Sequence, residues 1–466
     1  MNKAEIFYKD IGDYLSREEK LRIVKEDRSI RNHDLKMTRI KPNKHGDWIN
    51  KRNSIFSDLI PLESEKKFDT QAHSFFVCLS GSIVSSRDAW CYNFSKSKLQ
   101  KNIKKTIQYY NEQRKLIIAG KVVEPSRDST KGSWSRDWLN YIKKNVVIKE
   151  DENEYRISQY RPFVKCNFYF ADELNQERYQ MSKFFPKNNS QNLTICVSCA
   201  GTKKGLSVFI CDNVSDYHFI GDTQCFPLYW YQKKEKIQNN LFENSGDDYI
   251  RHDAISDFIL DQTKTRYGGR VTKEDIFYYV YGILHSPDYR ITFANDLKKM
   301  LPRLSLVEKP ADFWAFSEAG RKLADLHLNY EEQKNQEDVT VSGMEKGNFT
   351  VEKMRFTTKK WGEGKWSEGK WGELKKDAIV YNSYITISNI PLKAYEYIVN
   401  GKSAIEWVME RYAVTTHKES GIKNDPNDWA VEHENPQYIL DLLLSVITVS
   451  MKTVDIIAGL PKVEWE

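Results

Sequence analysis

The chain has 466 residues, 40% hydrophobic and 13% aromatic, with 71 Lys and Arg against 65 Asp and Glu for a formal charge of +6. At roughly 100–200 residues per domain this length predicts two to four domains, and the apolar content excludes a disordered chain because it can offset chain entropy. Residues 1–150 hold 31 Lys and Arg and 19 Asp and Glu, a net +12, while residues 151–466 are net −6; this asymmetry points to a polyanionic partner or, equally, to a solvated basic face.

Residues 4–8 read as a short strand that needs neighbours, with no pairing candidate in the next 60 residues. Ser16 is the predicted N-cap of a helix with Glu18 and Glu19 in its first turn. Residues 40–62, with Pro42, Asn43, Gly46 and Asn53, read as loop with a short helix. Residues 99–122 form an amphipathic helix. Leu99, Ile103, Ile107, Tyr110 and Ile117 recur at helical spacing, Lys101, Lys104, Lys105, Arg114 and Lys115 crowd the other faces, and Gly120 supplies the stop.

From Tyr155 the texture changes to short strands, at 160–163, 167–170, 193–200, 206–211 and 226–231, with turns at 188–190 and 201–205. Thr272 with Asp275 reads as a capping box, opening a helix whose stripe of Ile276, Tyr279, Val280, Ile283 and Leu284 ends at Pro287. Helices at 289–301 and 311–330 follow, then a polar linker over 331–350. The one internal repeat, KWGEG-KWSEG-KWGE, begins at Lys360 and spaces Trp361, Trp366 and Trp371 by five. Three copies are too few for a solenoid, so we read a hairpin insertion at about 355–380. Helices near 391–399, 403–411 and 436–458 close the chain. The fold class is mixed α/β, of α+β type.

Seven Cys, an odd number without periodic spacing, fall mostly in apolar β-rich runs and read as buried free thiols. Cys196 and Cys199 form a CxxC with no second pair, and His218 is alone, so no zinc site is expected. The N-terminus lacks the apolar core of a secretion signal. The longest apolar stretch, 438–451, is interrupted by Asp441 and falls short of the ~20 residues that span a bilayer. A reduced, soluble, cytoplasmic protein is expected.

Asn400-Gly-Lys-Ser403 ends like a phosphate-binding loop, but Glu396 stands where the first Gly should be and the preceding residues read as helix. The three Glu-x-Lys units of the Trp repeat match only half of a PD-(D/E)xK nuclease signature and read as solvated charge. No HExxH or GxSxG occurs. Nor does a Pro-Pro dipeptide or an FxGxG loop, which removes the catalytic and S-adenosylmethionine loops of amino-methyltransferases.

The segment IFYKDIGDYLSREEKL from Ile6 resembles the end of the adenine methyltransferase domain of type ISP restriction–modification enzymes. The likeness continues through His45-Gly-Asp-Trp-Ile-Asn50, Ser86-Arg-Asp-Ala-Trp90, Tyr92-Asn-Phe-Ser95 and Tyr160-Arg-Pro-Phe163. It runs on through the blocks 224–231, 277–287, 313–316, 400–411 and 415–426, nearly the whole chain; the Trp repeat has no counterpart. The resemblance implies that residues 1–155 are the end of the methyltransferase domain with connecting helices, and 156–466 the target-recognition domain. It implies double-stranded DNA as partner, with an upstream methyltransferase/translocase chain as a second one, and no membrane. S-adenosylmethionine, ATP and Mg would belong to absent upstream domains, so no cofactor and no catalytic residue is expected here.

Under this reading Lys104, Lys105, Arg114, Lys131, Arg136 and Lys143 are the candidates for phosphate contacts, which supply affinity. Base reading is expected from turns, at Arg161, Arg178, Lys183, Asn188, Asn189, Lys203 and Lys204, each of which could instead be surface charge or a turn former. Arg87 and Arg161, beside aromatics, have a structural alternative: stacking on Trp90 and Phe163, or pairing with Asp88. Two further readings stay open, a subunit that completes a split methyltransferase and a truncated inactive fragment.

Overall fold

Ser16 opens the first helix, Arg17–Asp27, in a reciprocal capping box: its hydroxyl accepts from Glu19 N while the Glu19 carboxylate accepts from Ser16 N. The strand before it, Ile6–Tyr8, pairs antiparallel with Thr38–Ile40, so the expectation of no pairing candidate in the next 60 residues is corrected. Three residues with an Arg at their centre are too short and polar to show the apolar pattern of a strand. The computed structural model describes residues 4–12, 15–32, 34–49, 51–201, 204–234, 248–358, 374–463 and 465.

Two hydrophobic cores organise these residues into a mixed α/β fold. The first surrounds a four-stranded sheet in which Val214–Ser215, Tyr155–Arg161, Val164–Tyr169 and Tyr92–Asn93 lie in that order. Only the Val214–Ser215 pairing is parallel. Against it pack Leu99, Ile103, Ile107 and Tyr110 of the helix Lys96–Ile118, together with Trp138, Ile142 and much of the apolar helix Tyr438–Ala458. Residues from both sides of position 155 thus share one core. The second core surrounds the antiparallel sheet ordered Ser80–Gly81, Gln224–Pro227, Thr194–Val197, Val208–Cys211. All seven Cys are free, and six are buried.

Thr272 and Asp275 make the predicted capping box of the helix Lys273–Ile283. That helix crosses Pro310–Leu328 at glycines: a Cβ on Gly282 would stand 2.2 Å from Phe316 O, and one on Gly320 1.9 Å from Tyr278 O. The expected helix at 289–301 is corrected to two short ones, Pro287–Thr292 and Ala294–Leu297. Pro287 begins the first rather than stopping its predecessor, because its fixed φ suits a first turn capped by Ser286.

The expected helix at 391–399 is likewise corrected. A 3-10 turn, Leu392–Tyr395, leads into a hairpin of Ile398–Val399 and Lys402–Ser403. Asn400 and Gly401 both take positive φ at its tip, the two-residue turn their dipeptide favours. Within the expected linker 331–350, Thr340–Ser342 is a strand paired with Thr386–Ser388. The strands Arg355–Thr358 and Leu374–Val380 pair antiparallel, as the flanks of a hairpin would. The Trp repeat between them lies outside the described residues. Among the described residues, no helix is long and apolar enough to cross a membrane.

Candidate nucleic-acid interface

The sequence between Val164–Tyr169 and Thr194–Val197 leaves the first sheet as a long loop that buried polar groups hold in place. Asn175 Nδ2 donates to the carbonyls of Tyr169 and Ala171. Arg156, buried, donates to the carbonyls of Phe185 and Pro186, and its guanidinium lies over the Phe170 ring. Asn192 ties the loop to the next element, donating to Phe184 O and Tyr229 O and accepting from Tyr229 N.

That element is the antiparallel hairpin of Tyr229–Lys233 and Tyr249–Asp253. Its cross-strand pair, Trp230 and His252, stacks with ring centroids 4.4 Å apart, and Phe68 packs on Trp230 at 4.5 Å. Cations lie over aromatic rings on both faces of this ribbon. Lys183 Nζ lies 4.4 Å from the Phe68 centroid, Arg251 lies 4.3 Å from that of Tyr229, and Lys187 Nζ 5.7 Å from that of Tyr249. Two adjoining depressions result. One of about 560 Å³ is lined by Lys187, Asn189, Gln191, Tyr231 and Arg251. The other, of about 430 Å³, is lined by Phe68, Lys183, Trp230 and Lys233. Aromatic rings interleaved with Lys and Arg suit bases and phosphates together.

The structure divides the predicted base readers. Asn189 lines the first of these depressions and Lys183 the second. Asn188 is exposed in the same turn, which Lys187 N to Ser190 Oγ and Ser190 N to Lys187 O close. Arg178 is turned inward instead, bonded to Phe170 O and Asp172 with its guanidinium over Phe170. Arg161 is buried in a strand, paired with Asp216 at 2.5 Å and Asp88 at 3.8 Å, and stacked on Tyr160 rather than Phe163. Burial pushes the Asp216 carboxyl up to about 6 while Arg161 pulls it down. Lys204 is exposed, its stem over the turn at Gly401, where a Cβ would stand 2.8 Å from Lys204 Cδ. Lys203 lies outside the described residues.

The predicted phosphate contacts sit on the helices Lys96–Ile118 and Arg136–Lys143 and the loop between them. Lys104 lies 3.8 Å from Glu150, Lys105 5.9 Å from the Trp90 ring centroid, and Lys131 3.2 Å from Asp128; Arg114 donates to Asn145. Arg136 and Lys143 are exposed and have no ionic partner among the described residues. Arg87 ties this region to the loop. It donates to Ser133 O, the Ser135 hydroxyl and Leu174 O, and stacks on Trp138 rather than Trp90. Trp138 Nε1 adds a bond to Glu173 O.

Phe68, Lys187, Arg251 and His252 were not singled out by sequence reading, because the face forms only when the hairpin's polar return strand meets a loop some 60 residues earlier. The family model of the Type ISP C-terminal specificity domain matches residues 74–442.

The chain belongs to this family.

Two solved structures are similar over the full length of this specificity-domain chain. One is a nuclease-deletion mutant of the Type ISP restriction–modification enzyme LlaGI in complex with a DNA substrate mimic, at 36% identity and a TM-score of 0.83. The other is the ATP-dependent Type ISP restriction–modification enzyme LlaBIII bound to DNA, at 35% and 0.83. This chain spans 40% of the first protein's chain and 28% of the second's. A DrdV–DNA complex, 24% identical over 98% of this chain and 43% of its own, shares the fold with a TM-score of 0.79. Comparison with curated proteins finds no match.

Proposed function

We propose that this specificity domain reads the sequence of double-stranded DNA. The observation that carries the reading is the aromatic and cationic surface formed by the 175–192 loop and the paired strands Tyr229–Lys233 and Tyr249–Asp253, in a chain similar over its whole length to two enzymes solved with DNA or a DNA mimic. Lys183, Asn188, Asn189, Gln191 and Arg251 are the proposed base-edge contacts. Arg136, Lys143, Lys104 and Lys105 are the proposed phosphate contacts, with Lys131 and Arg114 at their margin. Asn or Gln set bidentately on adenine, or Arg on guanine, would each give about 1–3 kcal/mol of discrimination. The test is fluorescence anisotropy with a labelled random-sequence duplex across a salt series. Binding that weakens linearly in log–log form supports duplex binding through phosphate contacts, on which the reading depends, and absence of binding at about 50 mM salt refutes it.

We further propose that recognition directs adenine methylation and restriction by catalytic segments outside these 466 residues, which would hold S-adenosylmethionine, ATP and Mg. The restriction–modification enzymes that the chain resembles, of which it spans 40% and 28%, support this. Incubation with labelled S-adenosylmethionine and duplex DNA should transfer no methyl group with this chain alone. Transfer by the isolated chain would contradict the proposal.

A further inference from the structure

Tyr179 holds φ at +45°, a left-handed conformation that bulky residues rarely take. Its surroundings impose it. Gln180 N donates to Ser80 Oγ at 2.9 Å, Met181 N donates to Arg178 O at 3.0 Å, and Arg178 is itself pinned by Phe170 O and Asp172. The ring is bedded on Gly81, where a Cβ would stand 2.9 Å from both Cδ2 and Cε2. Even so, 47% of the residue is exposed, and its hydroxyl makes no hydrogen bond among the described residues. One side of the ring therefore lies on backbone while the rest is open to solvent. Lys183 lies four residues later, in the short helix Met181–Phe184. A strained, exposed aromatic whose flanking residues are fixed by hydrogen bonds is the kind of feature that concentrates at functional sites.

We propose that Tyr179 is a stacking platform for a nucleobase displaced from the duplex stack, a role that rests on the DNA-reading function above. Every base offers a π-face, so a flat ring with one side open accepts any of them. The unstacking cost is least for a base already unpaired. Gly81 is then a positioning residue, because any larger side chain there would push the ring away.

The test compares a duplex carrying one 2-aminopurine opposite an abasic site with the fully paired duplex of the same sequence. The parent chain should prefer the first by roughly tenfold, with a fall in 2-aminopurine fluorescence on binding. Tyr179→Gly, which removes the ring and relieves the backbone, should bring the ratio to about one without lowering Tm. Tyr179→Phe should keep the preference and Gly81→Ala should reduce it. A Tyr179→Gly chain that retains the preference, or a parent that binds both duplexes equally, overturns the platform and leaves DNA reading standing. A parent that binds neither duplex at about 50 mM salt overturns both.

Discussion

Gly282 and Gly320 face each other where the helices Lys273–Ile283 and Pro310–Leu328 cross, each helix backbone occupying the space a Cβ of the other would need. In an open helix, Gly→Ala stabilises by up to about 1 kcal/mol. Here the added methyl must separate two packed helices, so Gly282→Ala should destabilise by ~2–3 kcal/mol. The urea midpoint decides between the two signs.

Tyr281 and His327 meet in the same seam, hydroxyl to Nδ1 at 2.6 Å, while His327 Nε2 lies 3.0 Å from Thr453 Oγ1. The imidazole stacks on both Phe209 and Tyr397. Burial lowers the His327 pKa to about 3, and burial also carries His285 well below its usual value. Between those values and about 6.5 the unfolded chain binds protons the folded chain does not. Stability is therefore present above that range and falls with decreasing pH, by about 1.4 kcal/mol per unit for each His. Denaturant midpoints from pH 7 to 5 should decline accordingly, and His327→Phe should flatten the slope.

Local chemistry was legible in the sequence. The N-cap at Ser16, the capping box at Thr272, the basic amphipathic helix after Ser95 and the buried final helix all rest on sequence patterns within a few residues. Long-range pairings were not. Ile6–Tyr8 finds Thr38–Ile40, and Arg161 finds Asp216, without any sequence period announcing the partner. The candidate site was half legible for the same reason: Lys183 and Asn189 lie in a recognisable turn-rich loop, whereas Arg251 and His252 reach it through strand pairing.

That difference separates two arginines experimentally. Arg161→Met would leave Asp216 and Asp88 with a lost buried partner and should cost about 3–5 kcal/mol of stability. Arg251→Ala should leave thermal unfolding nearly unchanged and weaken DNA binding, because its guanidinium covers an accessible aromatic face. Equal effects of both variants on Tm would contradict the assignment.

Arg136→Ala and Lys143→Ala should weaken binding to all duplex sequences alike. Each should reduce the magnitude of the log–log salt slope by about one, as expected when a phosphate contact is lost. Anisotropy titrations at several salt concentrations measure this directly.

The central claim is that this specificity domain reads sequence, and selection from a randomised duplex pool tests it most directly. After several rounds of capture on the full 466-residue chain and sequencing, the account predicts enrichment of one short, non-palindromic site. A pool that emerges without an enriched sequence, though bound and eluted with salt, would contradict it.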